Sequence, residues 1–185
     1  FKAEYWTRLI KEIRALERKA QRLGLILCLR LNGTSDQPWE RIRIKGTGTD
    51  LDGLTIFQAF PNIIWYDYTK YPIATRLDIP ENYHLTYSYS EDSTLEEVHA
   101  NIAQGRNVAV VFNCCRNNNR GRCFNKCLCP LPTTWHGIKV ISGDDHDLRF
   151  LDESGVIVGL HAKGKARQDT SGFVVVIQYA NAIAA

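Results

Sequence analysis

The chain has 185 residues, of which 44% are hydrophobic and 23% charged, and its formal net charge is +3. These are ordinary values for a globular protein, and they exclude a disordered chain, a collagen-like repeat and a coiled coil. The length suits one domain with a sizeable core, so we predict a single α/β domain over residues 1–185. So small a net charge does not by itself indicate nucleic acid binding.

No apolar run approaches the roughly 18 residues that a membrane-spanning helix requires, and no basic segment followed by an apolar one opens the chain. We therefore expect no membrane partner and a cytoplasmic location. The chain contains no Met and begins at Phe1. From this we expect a fragment or a processed product of a longer protein.

The first predicted element is a helix over residues 3–23. Its apolar residues recur at helical spacing, and Gly24 follows where a left-handed cap is wanted. Its polar face is basic and carries Arg8, Lys11, Arg14, Arg18, Lys19 and Arg22. A charged face of this kind is usually solvated, and contact with nucleic acid is the alternative.

Short apolar runs that end in polar residues follow the helix and predict strands. They span residues 25–31, 62–66, 84–89, 107–112, 138–142, 156–160 and 173–179. Between them we predict short helices over residues 54–60 and 94–104, the second capped by Ser93 with Glu96 and Glu97 in its first turn. Several gaps are long enough for crossover connections. The pattern therefore predicts a mainly parallel sheet, as a partial (β/α) barrel or an open doubly wound sheet.

Polar side chains follow most of these strands, and in parallel α/β folds ligands bind at the carboxyl ends of the strands. The candidates are Asn32, Asp36, Asp67, Lys70, Glu91, Asp144 and Lys163. We expect them to converge on one edge of the sheet, and we assign the catalytic roles to Asp67, Lys70, Glu91, Asp144 and Lys163. Mixed charges of this kind suit a divalent metal, a phosphate or a polar substrate. Any one of them is equally typical of an exposed loop.

The segment GDDHD, residues 143–147, places three Asp and one His in a tight turn. Such a turn suits a cation-binding or catalytic loop, and it is also typical of an ordinary solvent-exposed turn. Residues 159–167 have Gly and Lys near a strand end but lack the frame of a phosphate-binding loop.

The strongest local anomaly is an inserted loop at residues 113–130 that is rich in Cys. Five Cys lie in it, and the candidate metal ligands are Cys114, Cys115, Cys123, Cys127 and Cys129. Four thiolates hold zinc or an iron-sulfur cluster, and we favour zinc because the spacing matches no cluster motif. Disulfides are the alternative, and they would indicate a virion or extracellular location.

The same loop is basic and contains no acidic residue. Its cations are Arg116, Arg120, Arg122 and Lys126, and Phe124 lies between them. Basic side chains next to an aromatic ring suit the backbone and bases of a nucleic acid, so nucleic acid is a candidate partner. The charges also serve simply to keep a Cys-rich loop in solution.

Several long stretches resemble an uncharacterised phage and plasmid family that carries a gene-product-88-type domain. They are residues 30–40, 57–70, 82–91, 105–112, 135–152 and 155–175. The resemblance covers most of residues 1–179 and implies a mobile-element protein in a host cell, without a known reaction.

Members of this family also carry a Cys-rich segment similar to that of radical S-adenosylmethionine enzymes, whose partial barrels bind an iron-sulfur cluster. The closest string in this chain is Cys123-x-x-x-Cys127-x-Cys129. It is one residue shorter than the CxxxCxxC of those enzymes and follows a middle strand instead of the first. This departure puts a cluster and radical chemistry in doubt.

Three classes of function remain open from the sequence. The polar strand ends favour an enzyme acting on a phosphate-bearing or nucleic acid substrate, with a metal in the Cys-rich loop. The basic Cys-rich loop favours a nucleic-acid-binding adaptor without chemistry. The apolar segment at residues 180–185 suits a structural assembly protein.

Overall fold

The computed structural model describes residues 1–113 and 130–177. In this part of the chain the α helices are α1 (Ala3–Leu23), α2 (Ile56–Ala59) and α3 (Leu95–Ala103). The strands are β1 (Cys28–Leu29), β2 (Ile64–Thr69), β3 (Tyr83–Ser88), β4 (Val108–Asn113), β5 (Thr134–Trp135), β6 (Ile138–Ser142), β7 (Ile157–His161) and β8 (Val174–Val176). None of the helices described has the length and apolar character needed to cross a membrane.

The strands form one open sheet in the order β1-β2-β3-β4-β7-β6-β5, with β8 paired to β4. The pairs β1–β2, β3–β4, β4–β7, β4–β8 and β6–β7 are parallel, and β5–β6 is antiparallel. The prediction of a mainly parallel α/β fold is confirmed. Over the described residues the sheet does not close into a barrel.

The chain divides into two compact units. The first comprises residues 1–68 and 74–85, and the second comprises residues 69–73 together with the described part of 86–185.

The core of the first unit is formed by one face of α1 and the side chains that cover it. Trp6, Ile10 and Ile13 are buried on this face and belong to a cluster that includes Trp39 and Trp65. The helix ends at Gly24, whose φ of 66° is the left-handed conformation that glycine adopts without steric cost. The predicted helix and its cap are confirmed.

The second unit is built around β4. This strand pairs with β7 from Val108↔Ile157 to Phe112↔His161. The beginning of β4 also pairs with β3, at Tyr87↔Val108, and its end also pairs with β8, from Val111↔Val174 onward. A strand in this position has little contact with water on either face, which explains its nearly continuous apolar sequence.

The observed elements differ from the predicted ones in several places. The first strand is reduced to Cys28–Leu29, and the amide of Leu25 bonds instead to the carbonyl of Ala20 in the last turn of α1. The cap of α3 is Thr94 and not Ser93: its hydroxyl accepts from the amide of Glu97, and the Glu97 carboxylate accepts from the amide of Thr94. The hairpin of β5 and β6 was not predicted, and it turns through His136 and Gly137, both with positive φ.

The second strand runs further than predicted, to Thr69 instead of residue 66. Burial alternates along it, and Trp65, Asp67 and Thr69 are the buried members. Asp67 therefore occupies a core-facing position inside a strand, and the prediction that it follows the strand as a loop residue was wrong.

Candidate active site

Two of the predicted catalytic residues, Asp144 and Lys163, meet in the second unit at the carboxyl ends of β6 and β7. One Asp144 oxygen, Oδ1, lies 2.8 Å from the Lys163 ammonium nitrogen. The other, Oδ2, lies 2.6 Å from His161 Nδ1 and accepts the backbone N–H of His161 at 3.1 Å. The carboxylate thus joins an imidazole and an ammonium group.

The parallel pairing of β6 and β7 brings these residues together. The register places Ser142 beside Gly159, and the amide of Gly143 donates to the carbonyl of Gly159 at 2.8 Å. Asp144 is two residues beyond the end of β6, and His161 is the last residue of β7. Carboxyl ends of parallel neighbours lie at the same edge of a sheet, so this convergence follows from the strand pattern.

Beneath this edge, the buried side chain of Arg149 holds the turn that carries Asp144. Arg149 is 3% exposed, and its Nε lies 3.3 Å from Asp152 Oδ2. Its Nη2 contacts the carbonyl oxygen of His146 and lies 3.2 Å from the Nδ1 of the same residue. A Cβ at Gly143 would lie 2.7 Å from Arg149 Nη1, so only glycine leaves room for the guanidinium here. The contacts of the Arg149 side chain therefore fix the position of this turn.

The pKa values of Asp144 and Asp152 shift in opposite directions. Burial raises the pKa of Asp144, but the hydrogen bonds from Lys163 and His161 outweigh it, and the pKa lies below its usual range. Burial raises the pKa of Asp152, and the charge of Arg149 offsets only part of this effect. Asp144 is consequently ionised at neutral pH.

A carboxylate that accepts from histidine Nδ1 fixes the tautomer and the orientation of the ring, and it stabilises the imidazolium ion when the ring takes up a proton. The side chains of Asp144 and His161 are 21% and 28% exposed, so solvent and small solutes reach the pair. The arrangement can transfer a proton. His161 was named in the sequence only as a residue at a strand end, and its role became visible once its contact with Asp144 was known.

Lys70 and Glu91 lie elsewhere in the second unit, next to the turn before β8. The Lys70 ammonium nitrogen lies 5.0 Å from the ring centroid of Phe173. A Cβ at Gly172 would lie 3.8 Å from the Cβ of Glu91. Asp169 organises this turn, and hydrogen bonds from Ser171 and from backbone amides, that of Val174 foremost, lower its pKa to about 2.

Asp67 lies in the first unit, within a buried polar network. It is 1% exposed and accepts the amide of Asn32 at 2.9 Å and the hydroxyl of Tyr83 at 3.1 Å, while Arg30 Nε lies 3.6 Å away. Burial raises the pKa of Asp67, and the contacts to Asn32, Tyr83 and Arg30 offset only part of that effect. Burial and the nearby Asp67 charge together raise the pKa of Tyr83.

The side chain of Asn32 stabilises the loop that follows it. Its Oδ1 accepts from Ser35 Oγ at 2.9 Å, from the amide of Gln37 at 3.0 Å and from Trp39 Nε1 at 2.9 Å. The polar run after the first strand is therefore a loop folded around Asn32.

Three further buried or partly buried side chains of the first unit are joined by hydrogen bonds. Arg76, which is buried, donates to both carboxylate oxygens of Glu40, at 2.7 and 2.9 Å, and to Asp36 at 3.3 Å. Arg76 and Glu40 are 36 positions apart, and no local pattern in the sequence indicates their pairing.

The predicted metal ligands Cys114, Cys115, Cys123, Cys127 and Cys129 lie outside the described residues, as do the predicted nucleic acid contacts Arg116, Arg120, Arg122 and Lys126. Within residues 1–113 and 130–177, no group of three or more His, Cys, Asp or Glu side chains is placed to hold a metal ion. In the GDDHD turn, Asp145, His146 and Asp147 are exposed.

Comparison with known proteins finds one family for this chain. A family model described as Gene product 88 matches residues 1–177. The chain belongs to the gene product 88 family. The match spans both compact units, and the predicted family resemblance is confirmed; a relationship to radical S-adenosylmethionine enzymes is not shown. No curated protein and no solved structure matches this member of the gene product 88 family.

Proposed function

We propose that this phage-type protein is an enzyme that uses acid–base catalysis on a phosphate-bearing substrate, with its active site at the carboxyl ends of β6 and β7. The observation that supports the proposal is the Asp144 carboxylate, which contacts the His161 imidazole and the Lys163 ammonium at once. Asp67, in contrast, belongs to a buried network of the first unit.

Each of the three residues has a distinct role in the proposed reaction. His161 accepts a proton from the attacking water or hydroxyl group and returns one to the leaving group. Asp144 holds the ring through Nδ1 and stabilises the imidazolium ion; it remains ionised throughout. Lys163 places a cation where negative charge develops on the substrate.

The surroundings favour an anionic substrate. Lys163 has a side chain 72% exposed, and it directly precedes the short helical turn Gly164–Gln168, which also carries Lys165 and Arg167. The carbonyl of Arg167 accepts from the side-chain amide of Asn113 at 3.2 Å, which ties this turn to the end of β4. Lys163 is paired with Asp144, but Lys165 and Arg167 add two further cations close by, and clustered cations attract phosphate.

The experiment measures hydrolysis of a phosphate monoester, a phosphodiester, and short RNA and DNA strands by the purified chain. The variants Asp144→Asn and His161→Gln are expected to lower turnover of the accepted substrate by about 10²–10⁴-fold. Lys163→Ala is expected to raise KM more than it lowers kcat. His99→Gln, at an exposed position on α3, is the matched control and leaves turnover unchanged.

Equal turnover of wild type and His161→Gln on every accepted substrate would contradict the proposal. So would wild-type protein that binds nucleic acid without turning over any of the substrates and loses binding only when Arg120 and Arg122 are changed, since that is the behaviour of the adaptor alternative.

A further inference from the structure

We propose that the first unit binds the phosphate backbone of a nucleic acid in a groove between α1 and the loop that contains Thr47 and Thr49. This site lies in a different unit from the proposed active site and does not depend on it. It assigns a function to the basic face of α1.

Cations line one wall of this groove, which encloses about 260 Å³. Lys11, Arg14 and Arg18 project from α1, and Thr47 and Thr49 face them from the loop. No acidic side chain of the described residues lines the groove. A wall of one charge sign concentrates its potential inside the groove.

The three cations are available for a ligand. Lys11, Arg14 and Arg18 form no ion pair with any residue in the described part of the chain, and all three are exposed. On the same helix, Arg8 lies outside the groove and pairs with Glu12 at 3.0 Å. The three cations inside the groove are therefore uncompensated.

The opposite wall is fixed by its own hydrogen bonds. Asp52 accepts from the amide and the hydroxyl of Thr47, at 3.1 and 2.7 Å, and from the amide of Gly48 at 3.1 Å. These hydrogen bonds lower the pKa of Asp52, and they engage its carboxylate with donors of the loop itself. At Gly46, with φ of 75°, an added Cβ would lie 3.0 Å from the Cβ of Ala3, so the loop packs directly against α1.

The spacing of the cations suits a nucleic acid strand. Lys11 and Arg18 are seven residues apart, which is about 10 Å along a helix axis. One strand of a duplex advances about 3.4 Å per nucleotide, so the cations span about three phosphates.

The test measures fluorescence anisotropy of a labelled DNA duplex and a labelled single strand with the whole chain. We compare wild type with Lys11→Gln/Arg14→Gln/Arg18→Gln. At low salt this triple variant is expected to bind at least tenfold more weakly. For the duplex, the slope of log affinity against log salt is expected to decrease by about 3, since each lost phosphate contact removes about 0.9.

The matched control is Lys2→Gln/Arg8→Gln/Lys19→Gln, which removes the same number of charges from the same end of the chain but outside the groove. It is expected to bind within about twofold of wild type, because only screened long-range attraction is lost. Circular dichroism and thermal melting verify that both triple variants fold as wild type does.

Three results would overturn the proposal. One is equal weakening by the two triple variants, which would indicate net charge alone. Another is wild-type affinity in the groove variant combined with lost binding in Arg120→Gln/Arg122→Gln. The third is wild-type protein that sediments with anionic lipid vesicles and does not bind either nucleic acid. None of these readouts depends on turnover.

Discussion

A buried carboxylate such as Asp67 makes stability depend on pH. Its pKa is raised by burial, which the contacts to Asn32, Tyr83 and Arg30 offset only in part. As pH rises above the ordinary value near 4, the unfolded chain releases this proton before the folded chain does. Asp67 therefore lowers the free energy of unfolding as pH rises through the interval between its unfolded and folded pKa values.

The variant Asp67→Asn removes this ionisation and retains an oxygen that can accept from the Asn32 amide. We expect wild type to lose stability relative to Asp67→Asn as the pH rises from about 3 to about 7. Urea unfolding at several pH values measures the difference. Asp50→Asn, at an exposed carboxylate, is the control. A difference between wild type and Asp67→Asn that is constant across this range would contradict the interpretation.

At the scale of the element, α3 shows how capping defines the start of a helix. The Thr94 hydroxyl accepts from the Glu97 amide at 3.2 Å, and the Glu97 carboxylate accepts from the Thr94 amide at 2.9 Å. We expect Thr94→Ala to lower the free energy of unfolding by about 0.5–2 kcal/mol, and Thr94→Ser to restore most of it. Denaturant unfolding checks both, and an unchanged midpoint for Thr94→Ala would contradict the assignment of the cap.

The elements that the sequence predicts well are those with strong local signals. Residues 3–23 carry a helical repeat and a glycine cap, and residues 138–142 form a strand with the predicted bounds. The short strand β5 carries no such signal, since its two residues pair only through a turn at His136 and Gly137. The end of β2 was predicted too early in the chain. An Asp such as Asp67 is typical of a loop, and its place inside a strand becomes clear only once its buried partners are known.

The candidate site could be predicted in part for the same reason. Asp144 and Lys163 come after neighbouring parallel strands, so the strand pattern alone brings them together. Nothing in the sequence indicates that Arg149 is buried beside this site, because a charged residue is rarely buried. Its burial depends on the space that Gly143 leaves. The contacts of Arg76 with Glu40 and Asp36 likewise depend on tertiary structure.

At the scale of the whole molecule, the zinc site of the Cys-rich loop stays a prediction from the sequence. A sequence rich in Asn, Arg and Gly offers little apolar surface for burial, so we expect a bound metal to be needed for this segment to fold. Elemental analysis of protein purified without reducing agent is expected to find one zinc per chain, with thiols that become titratable after chelation. Iron in place of zinc would indicate a cluster. Absence of both metal and thiols would indicate disulfides and an oxidising location.

The proposed function depends on proton transfer at the Asp144–His161 pair, and chemical rescue of a variant that lacks the imidazole tests it. The variant His161→Gly removes the imidazole from a position with a side chain 28% exposed, which small solutes can reach. The measurement is turnover of the accepted phosphate substrate by this variant with and without added imidazole. We expect His161→Gly to lose turnover and added imidazole to restore part of it. The double variant His161→Gly/Asp144→Asn is expected not to be rescued. Turnover at the wild-type level without imidazole, or a folded His161→Gly variant that imidazole does not rescue, would contradict the proposed function.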